Sequence, residues 1–323
     1  MLEVLLAGTF PAGTLEKMQQ AVAGTDIYIR AVVTEEEFAR ENDVDAIILR
    51  ILKMPRPVIQ RFSSRLKMIM RWGVGYDAVD IKTAREQGID VCNTPGANAY
   101  AVSEMAVLLM LAVGRKLLCH EQKLEAGIWS RELFTAQTRS LNHKLVGIVG
   151  GGHIGRQVAR KVQAFGAHVQ YYDPYRLSAE MEKEFEMDYV DYPELLATSD
   201  VISYHVPLLD STRHMLNKEN IKTVKPGAII INTSRSGIVE DEALVEAKKA
   251  GLISGAGLDC TEETPITKEN PLLQDPDIIV TPHVGGSTND ISEAIMPMIV
   301  ENLKLLAAGE KVKYVVNGMQ GTK

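Results

Sequence analysis

Three glycines set the first chemical possibility in this chain: Gly150, Gly152 and Gly155 stand in a G-x-G-x-x-G spacing. Glycine-rich turns are common, so the context decides. An apolar stretch at 145–149 precedes the turn, and a helical pattern carrying Val158, Ala159 and Val162 follows it. A second apolar stretch, 168–172, then ends in Asp173. Strand, turn, helix, strand and acid in this order make a dinucleotide-binding unit. Gly150 permits the tight turn, Gly152 lets a pyrophosphate approach bare backbone, and Gly155 allows the helix to pack close to the strand. The helix start at His153 and Ile154 offers unpaired N–H groups and a positive dipole end to phosphate. Asp173 can accept hydrogen bonds from ribose hydroxyls and would repel a 2′-phosphate, which favours NAD over NADP. Arg176, three residues on, softens that preference.

The elements that must position this turn follow from the hydrophobic pattern. Short apolar runs predict strands at 3–7, 26–29, 46–49, 68–71 and 90–92, with helical patterns at 15–23, 35–41 and 81–87 between them. A second alternation predicts strands at 145–149, 168–172, 201–204, 228–232, 254–258 and 278–281, with helices at 154–165, 179–185, 218–224 and 241–250. Strands alternating with helices imply parallel sheets covered on both faces. Between the two series, 99–126 reads as one long, mostly buried helix that could bridge domains or line a dimer interface, and 131–144 as polar turn. A final long helix is expected at 290–308, its apolar face returning to the first sheet.

Bulk properties narrow the partners. A chain of 323 residues is long enough for two domains. Its net charge of −7 lacks the basic footprint of a nucleic-acid protein but leaves room for a local arginine pocket around a small anion. Cys92, Cys119 and Cys260 are far apart and form no Cys-x-x-Cys, which fits a reducing cytoplasm and gives no metal-ligand set. The first ten residues lack the pattern of a signal peptide, and no apolar run reaches membrane-spanning length, so a cytoplasmic protein is expected.

Further blocks carry a family resemblance. These are Asn93–Asn98 (NTPGAN) with Val102, Ser103 and Glu104; His205-Val206-Pro207-Leu208 with Thr212; Lys225-Pro226-Gly227-Ala228 running to Asn232-Thr233-Ser234-Arg235-Ser236-Gly237; Gly257-Leu258-Asp259; and Thr281-Pro282-His283-Val284-Gly285-Gly286. With Val315-Val316-Asn317 near the end, they span nearly the whole chain. Together they resemble the D-isomer-specific 2-hydroxyacid dehydrogenases. The resemblance implies an α/β fold of two doubly wound parallel-sheet domains. A Rossmann NAD domain, residues 99–285, would be inserted in a flavodoxin-like substrate domain made of 1–98 and 286–323. Val206, Pro207 and Thr212 would flank the adenosine side, and Thr233, Ser234 and Gly285 would also contact the cofactor.

The implied reaction is hydride transfer between nicotinamide and a 2-hydroxy or 2-oxo acid. It needs a proton acceptor, a carboxylate anchor and a positioned nicotinamide. His283 is the candidate acid/base, since a histidine side chain ordinarily changes charge near neutral pH. Arg235 has the planar fork that binds a carboxylate and polarises a 2-oxo group. Asp259 occupies the position that holds the nicotinamide carboxamide in the family. The backbone N–H groups of Val74 and Gly75 would complete carboxylate binding, and Asn98 is either a substrate contact or a hinge residue.

Within the family, the substrate loop Arg71–Asp77 (RWGVGYD), Arg50 and Arg131 are closest to phosphoglycerate dehydrogenases. Arg131 would come from a second subunit, which makes a homodimer part of that expectation. Each of these arginines has a plain structural reading as well. Ile51 replaces the usual serine, so glyoxylate or hydroxypyruvate reduction is the alternative, and a non-catalytic NAD sensor a more distant one. A second departure is Thr264, where the family places the glutamate that pairs with the catalytic histidine. Its hydroxyl could orient the imidazole but could not stabilise an imidazolium as a carboxylate does. Glu263 in a shifted loop is the other possibility.

Overall fold

A computed structural model of the chain describes residues 1–62 and 65–318. It divides into two compact units, Met1–Asn98 with Asn289–Lys323, and Ala99–Thr288. Residues 319–323, which the sequence assigns to the first domain, lie outside the described residues.

In the first unit, strands β1 (Leu2–Ala7), β2 (Ile27–Val32), β3 (Ala46–Leu49), β4 (Met68–Arg71) and β5 (Asp90–Cys92) form a parallel sheet in the order β2-β1-β3-β4-β5. Helices α1 (Thr14–Ala21), α2 (Glu35–Ala39), α3 (Arg56–Arg61) and α4 (Ile81–Glu86) connect the strands. The strand order is the doubly wound one, reversing between β1 and β3, where ligands bind in such sheets. All four residues of β3 are buried, as expected for a central parallel strand covered on both faces. Ile47, Ile48 and Leu49 each contribute about 1.5–3 kcal/mol on burial.

The second unit begins with α5 (Ala99–Gly114) and α6 (Leu117–Glu125). The single helix expected over 99–126 is therefore two. Its apolar pattern continues across the break, but the hydrogen bonding does not. The Gly114 carbonyl, which would serve the next turn, accepts instead from Arg139 N–H (2.9 Å). Lys116 turns left-handed (φ 55°) and buries its ammonium 2.6 Å from Asp277. The Cys119 thiol also donates to Asp277 (3.1 Å), and burial pushes it up to about 11, so it is an unreactive thiol.

Strands β6 (Leu145–Val149), β7 (His168–Tyr172), β8 (Asp188–Tyr189), β9 (Val201–Tyr204), β10 (Ala228–Asn232), β11 (Ile253–Leu258) and β12 (Ile278–Val280) form the second parallel sheet, in the order β12-β11-β10-β9-β6-β7-β8. Helices α7 (His153–Ala164), α8 (Ala179–Phe185), α9 (Tyr192–Thr198) and α10 (Asp241–Lys249) cover it. The helix expected at 218–224 is a short 3-10 turn, Asn220–Thr223. The apolar face of α7 buries Val158, Ala159 and Val162. The last helix, α11 (Ile291–Ala307), belongs to the first unit, where Ile291, Ile295, Ile299 and Leu303 pack with Val4, Ile48 and Met70. No helix among the described residues is long and apolar enough to cross a membrane.

Candidate active site

The glycine turn lies where the strand order of the second sheet reverses, at the carboxyl ends of β6 and β9. Gly150 takes φ 105°, and a β-carbon there would fall 2.7 Å from the His205 carbonyl oxygen. One on Gly155 would lie 2.1 Å from the Gly150 carbonyl oxygen. At Gly152 a β-carbon would meet nothing within 4 Å. The turn is thus closed on its protein side and open at Gly152. Gly152 also caps α7 without a side-chain hydrogen bond, so the amides from His153 onward face outward uncapped.

Asp173 is fixed beside this turn, accepting from Gly151 N–H (2.9 Å) and Tyr175 N–H (2.9 Å). The 206–212 loop is shaped by Thr212, whose hydroxyl donates to the Pro207 carbonyl (2.6 Å) and accepts from Leu209 N–H (2.8 Å). Val206 is core. The Thr233 hydroxyl, at the end of β10, is buried with no partner among the described residues. An open glycine cradle, an uncapped helix start and an orphaned hydroxyl together fit an extended, phosphate-bearing cofactor such as NAD.

Arg235, Asp259 and His283 leave three neighbouring strand ends. Asn232 of β10 pairs with Leu258 of β11, and Leu258 pairs with Val280 of β12. Adjacent strands lie about 4.8 Å apart, so the three loops start side by side. Asn232 shapes the first: its side-chain oxygen accepts from Ser234 N–H (3.1 Å) and Oγ (2.8 Å), and its side-chain amide donates to the Arg235 carbonyl (2.9 Å). The Arg235 guanidinium donates to the Ser234 carbonyl (2.7 Å).

Asp259 is 2% exposed, and its carboxylate accepts from Val284 N–H (2.8 Å), Thr281 Oγ (2.6 Å) and Gly285 N–H (2.7 Å). That clasp folds the 281–285 loop and holds exposed His283 in a left-handed conformation (φ 56°). Three of roughly four acceptor positions of the carboxylate are occupied this way. The loop-building role of Asp259 is therefore visible alongside any contact it makes to nicotinamide.

The Thr264 hydroxyl donates to the Thr261 carbonyl (3.0 Å). Glu263 accepts from Asn270 (2.5 Å), and Glu262 bonds the His214 ring (2.7 Å) and Asp241 N–H (3.1 Å). Both glutamates near Thr264 thus have partners within their own loop and its neighbours.

In the first unit, Arg71 ends β4, and Arg50 directly follows Leu49, the last residue of β3 and the one paired with Arg71. Arg50 donates to the Thr9 carbonyl, and Arg71 donates to the carbonyls of Gly75 (3.0 Å) and Leu49 (3.1 Å). Asn93 donates to the Val74 carbonyl (2.8 Å). With both loop carbonyls taken by side chains, the N–H groups of Val74 and Gly75 have no partner among the described residues. This is an amide pair able to receive a carboxylate. The Asn98 side-chain oxygen is enclosed without a partner among the described residues.

Asn93, Asn232 and Thr281 organise these loops, and sequence reasoning alone does not single them out. Each lies inside one of the family-like blocks, but nothing in its type tells a turn-forming side chain from a ligand contact.

The fold and these blocks define a class. Residues 107–285 match the NAD-binding domain of the D-isomer-specific 2-hydroxyacid dehydrogenases. The chain belongs to that family of NAD-dependent oxidoreductases. Among its relatives, the hydroxypyruvate reductase of Thermotoga maritima is 38% identical over 279 residues, 84% of this chain and 89% of that one. The D-3-phosphoglycerate dehydrogenase of Methanocaldococcus jannaschii is 38% identical over 295 residues; the match takes in 90% of this chain but only 55% of that protein's length. A solved glyoxylate reductase from Paecilomyes thermophila superposes with a TM-score of 0.85 at 28% identity, covering 98% of each chain.

Proposed function

We propose that this chain interconverts a small D-2-hydroxy acid and its 2-oxo acid with NAD. The observation that carries this is the row of three strand ends presenting Arg235, Asp259 and His283. When bound, NAD supplies the hydride acceptor or donor. Arg235 anchors the substrate carboxylate and polarises its 2-oxo group. His283 holds the proton that moves to or from the substrate oxygen. Asp259 keeps the His283 loop in place. Gly150, Gly152, Gly155 and the α7 amides receive the pyrophosphate, and Asp173 the ribose; Thr233, Ser234, Gly285 and the Val206–Thr212 loop line the rest of the cofactor. Residues 99–285 serve the cofactor. In the other unit, the Val74 and Gly75 amides, Arg50, Arg71 and Asn98 serve the substrate.

For the substrate, we favour hydroxypyruvate or glyoxylate. Arg71 braces its own loop through two carbonyls, and Ile51 is 65% exposed where a hydroxyl would assist a phosphate. The second reading, 3-phosphoglycerate, rests on Arg50 and Arg71 lying at the carboxyl ends of the adjacent strands β3 and β4. A kcat/KM panel of hydroxypyruvate, glyoxylate and 3-phosphohydroxypyruvate, all reduced with NADH, separates the two. Preference for the phosphorylated acid by tenfold or more (about 1.4 kcal/mol) overturns the first choice.

A homodimer completes this reading. Residues 121–133 are exposed throughout, and Trp129 is 80% exposed near Leu124, Ile128 and Leu133. A second copy covering this segment would bury them and bring Arg131 to a neighbouring site. Sedimentation of wild type and Trp129→Glu tests it: a wild-type monomer at micromolar concentration contradicts the assignment.

A further inference from the structure

Selection against NADP in this fold is ordinarily read at one residue, the acid ending the second strand of the dinucleotide unit. Here the neighbourhood of Asp173 contains a second device. Arg176, three residues beyond, is the kind of side chain that accommodates a 2′-phosphate in NADP-using relatives of the fold. It is occupied. Its Nε donates to Glu182 Oε1 (2.7 Å) and its Nη2 to Oε2 (3.0 Å), a two-pronged pair, and the guanidinium lies 4.9 Å over the Tyr189 ring.

Glu182 is itself held. It sits on α8, where Ser178 caps the helix start, and it accepts a third hydrogen bond from the Tyr171 hydroxyl (2.7 Å). That hydroxyl accepts in turn from Leu177 N–H (2.9 Å). The carboxylate side chain is 16% exposed against 61% for the arginine. The Arg176 pair and the Tyr171 hydroxyl hold the carboxyl down at about 2, so it stays charged throughout the working range. An exposed single ion pair would hold little. A forked pair whose acid is anchored from β7 and whose cation rests on an aromatic face is better fixed.

We propose that Glu182 is a coenzyme-selectivity residue, keeping Arg176 from a 2′-phosphate and so reinforcing the preference that Asp173 sets. This rests on the adenosine ribose lying at Asp173. Removing Glu182 would free a guanidinium next to that ribose while Asp173 remained to hold the hydroxyls of NAD.

The test is equilibrium binding of NADH and NADPH, followed by nicotinamide fluorescence, with adenosine 2′,5′-bisphosphate as a competing probe. Glu182→Ala should tighten NADPH by about tenfold, the range of a charge-assisted hydrogen bond, and change NADH by less than about twofold. The gain should vanish in Glu182→Ala/Arg176→Ala. Glu182→Gln keeps an acceptor for Tyr171 and should show a smaller gain of the same sign; it reads the same ratio should the alanine variant melt early. An unchanged NADPH-to-NADH ratio in both variants overturns the proposal, as does a gain that survives loss of Arg176. If the wild type binds no NADH, the cofactor reading falls as well. If NADH binds normally and the ratio does not move, only the role of Glu182 falls.

Discussion

Gly285 and Asp259 meet so closely that the Gly285 N–H donates to Asp259 Oδ2 at 2.7 Å, and a β-carbon on the glycine would fall 2.7 Å from that same oxygen. The contact ties the loop bearing His283 to the end of the neighbouring strand. Gly285→Ala should therefore displace the loop. We expect a stability loss of about 1–3 kcal/mol and a larger fractional loss in kcat than in NADH affinity. Asp259→Asn, which turns an amide toward backbone N–H groups, should act in the same direction. Urea melts and steady-state kinetics on both variants check this; unaltered kcat in Gly285→Ala would show that the clasp does not position His283.

His205 gives a stability prediction with a definite sign. Its ring is enclosed at the end of β9, Nε2 bonded to Ser203 Oγ (2.8 Å) and Nδ1 without a partner among the described residues. Burial lowers its pKa from 6.5 to about 3, so the folded chain holds the ring neutral. Below pH 6.5 the unfolded chain takes up a proton that the folded chain refuses, and stability falls as pH drops toward 3. By pH 5 the loss from this group is about 1–2 kcal/mol. Urea melts at pH 7 and 5 should show that His205→Asn loses correspondingly less than wild type; equal losses would place the acid sensitivity elsewhere.

The Thr264 position predicts a kinetic shift. Its hydroxyl is turned to the Thr261 carbonyl (3.0 Å), and Glu262 and Glu263 have partners of their own. Thr264→Glu would supply a carboxylate to favour the charged imidazole of His283. The acidic limb of the kcat/KM profile should move upward, by about one pH unit. A limb that stays in place means that His283 does not titrate against this position.

Much of this arrangement is legible in the order of the residues. The strands 46–49 and 145–149 fall where their apolar runs begin and end, because a central parallel strand is covered on both faces; 68–71, 168–172, 201–204 and 228–232 keep their expected bounds although Arg71, His168, Gln170, Ser203 and Asn232 interrupt the apolar pattern. The break at Lys116 is not legible there. It depends on Arg139 and Asp277, both distant along the chain, taking over the Gly114 carbonyl and the Lys116 ammonium. The same reason hides the second duty of Asp259. Its residue type suggests a ligand contact, whereas its hydrogen bonds to Val284 and Gly285 exist only once β11 and β12 are side by side.

The joint action of Arg235 and His283 is tested most directly by replacing each while following NADH binding separately from turnover. With hydroxypyruvate as substrate, Arg235→Gln and His283→Asn should each lower kcat/KM by about a thousandfold, with NADH dissociation constants within about fivefold of wild type. Turnover within tenfold of wild type in either variant, with NADH still bound, would contradict the account.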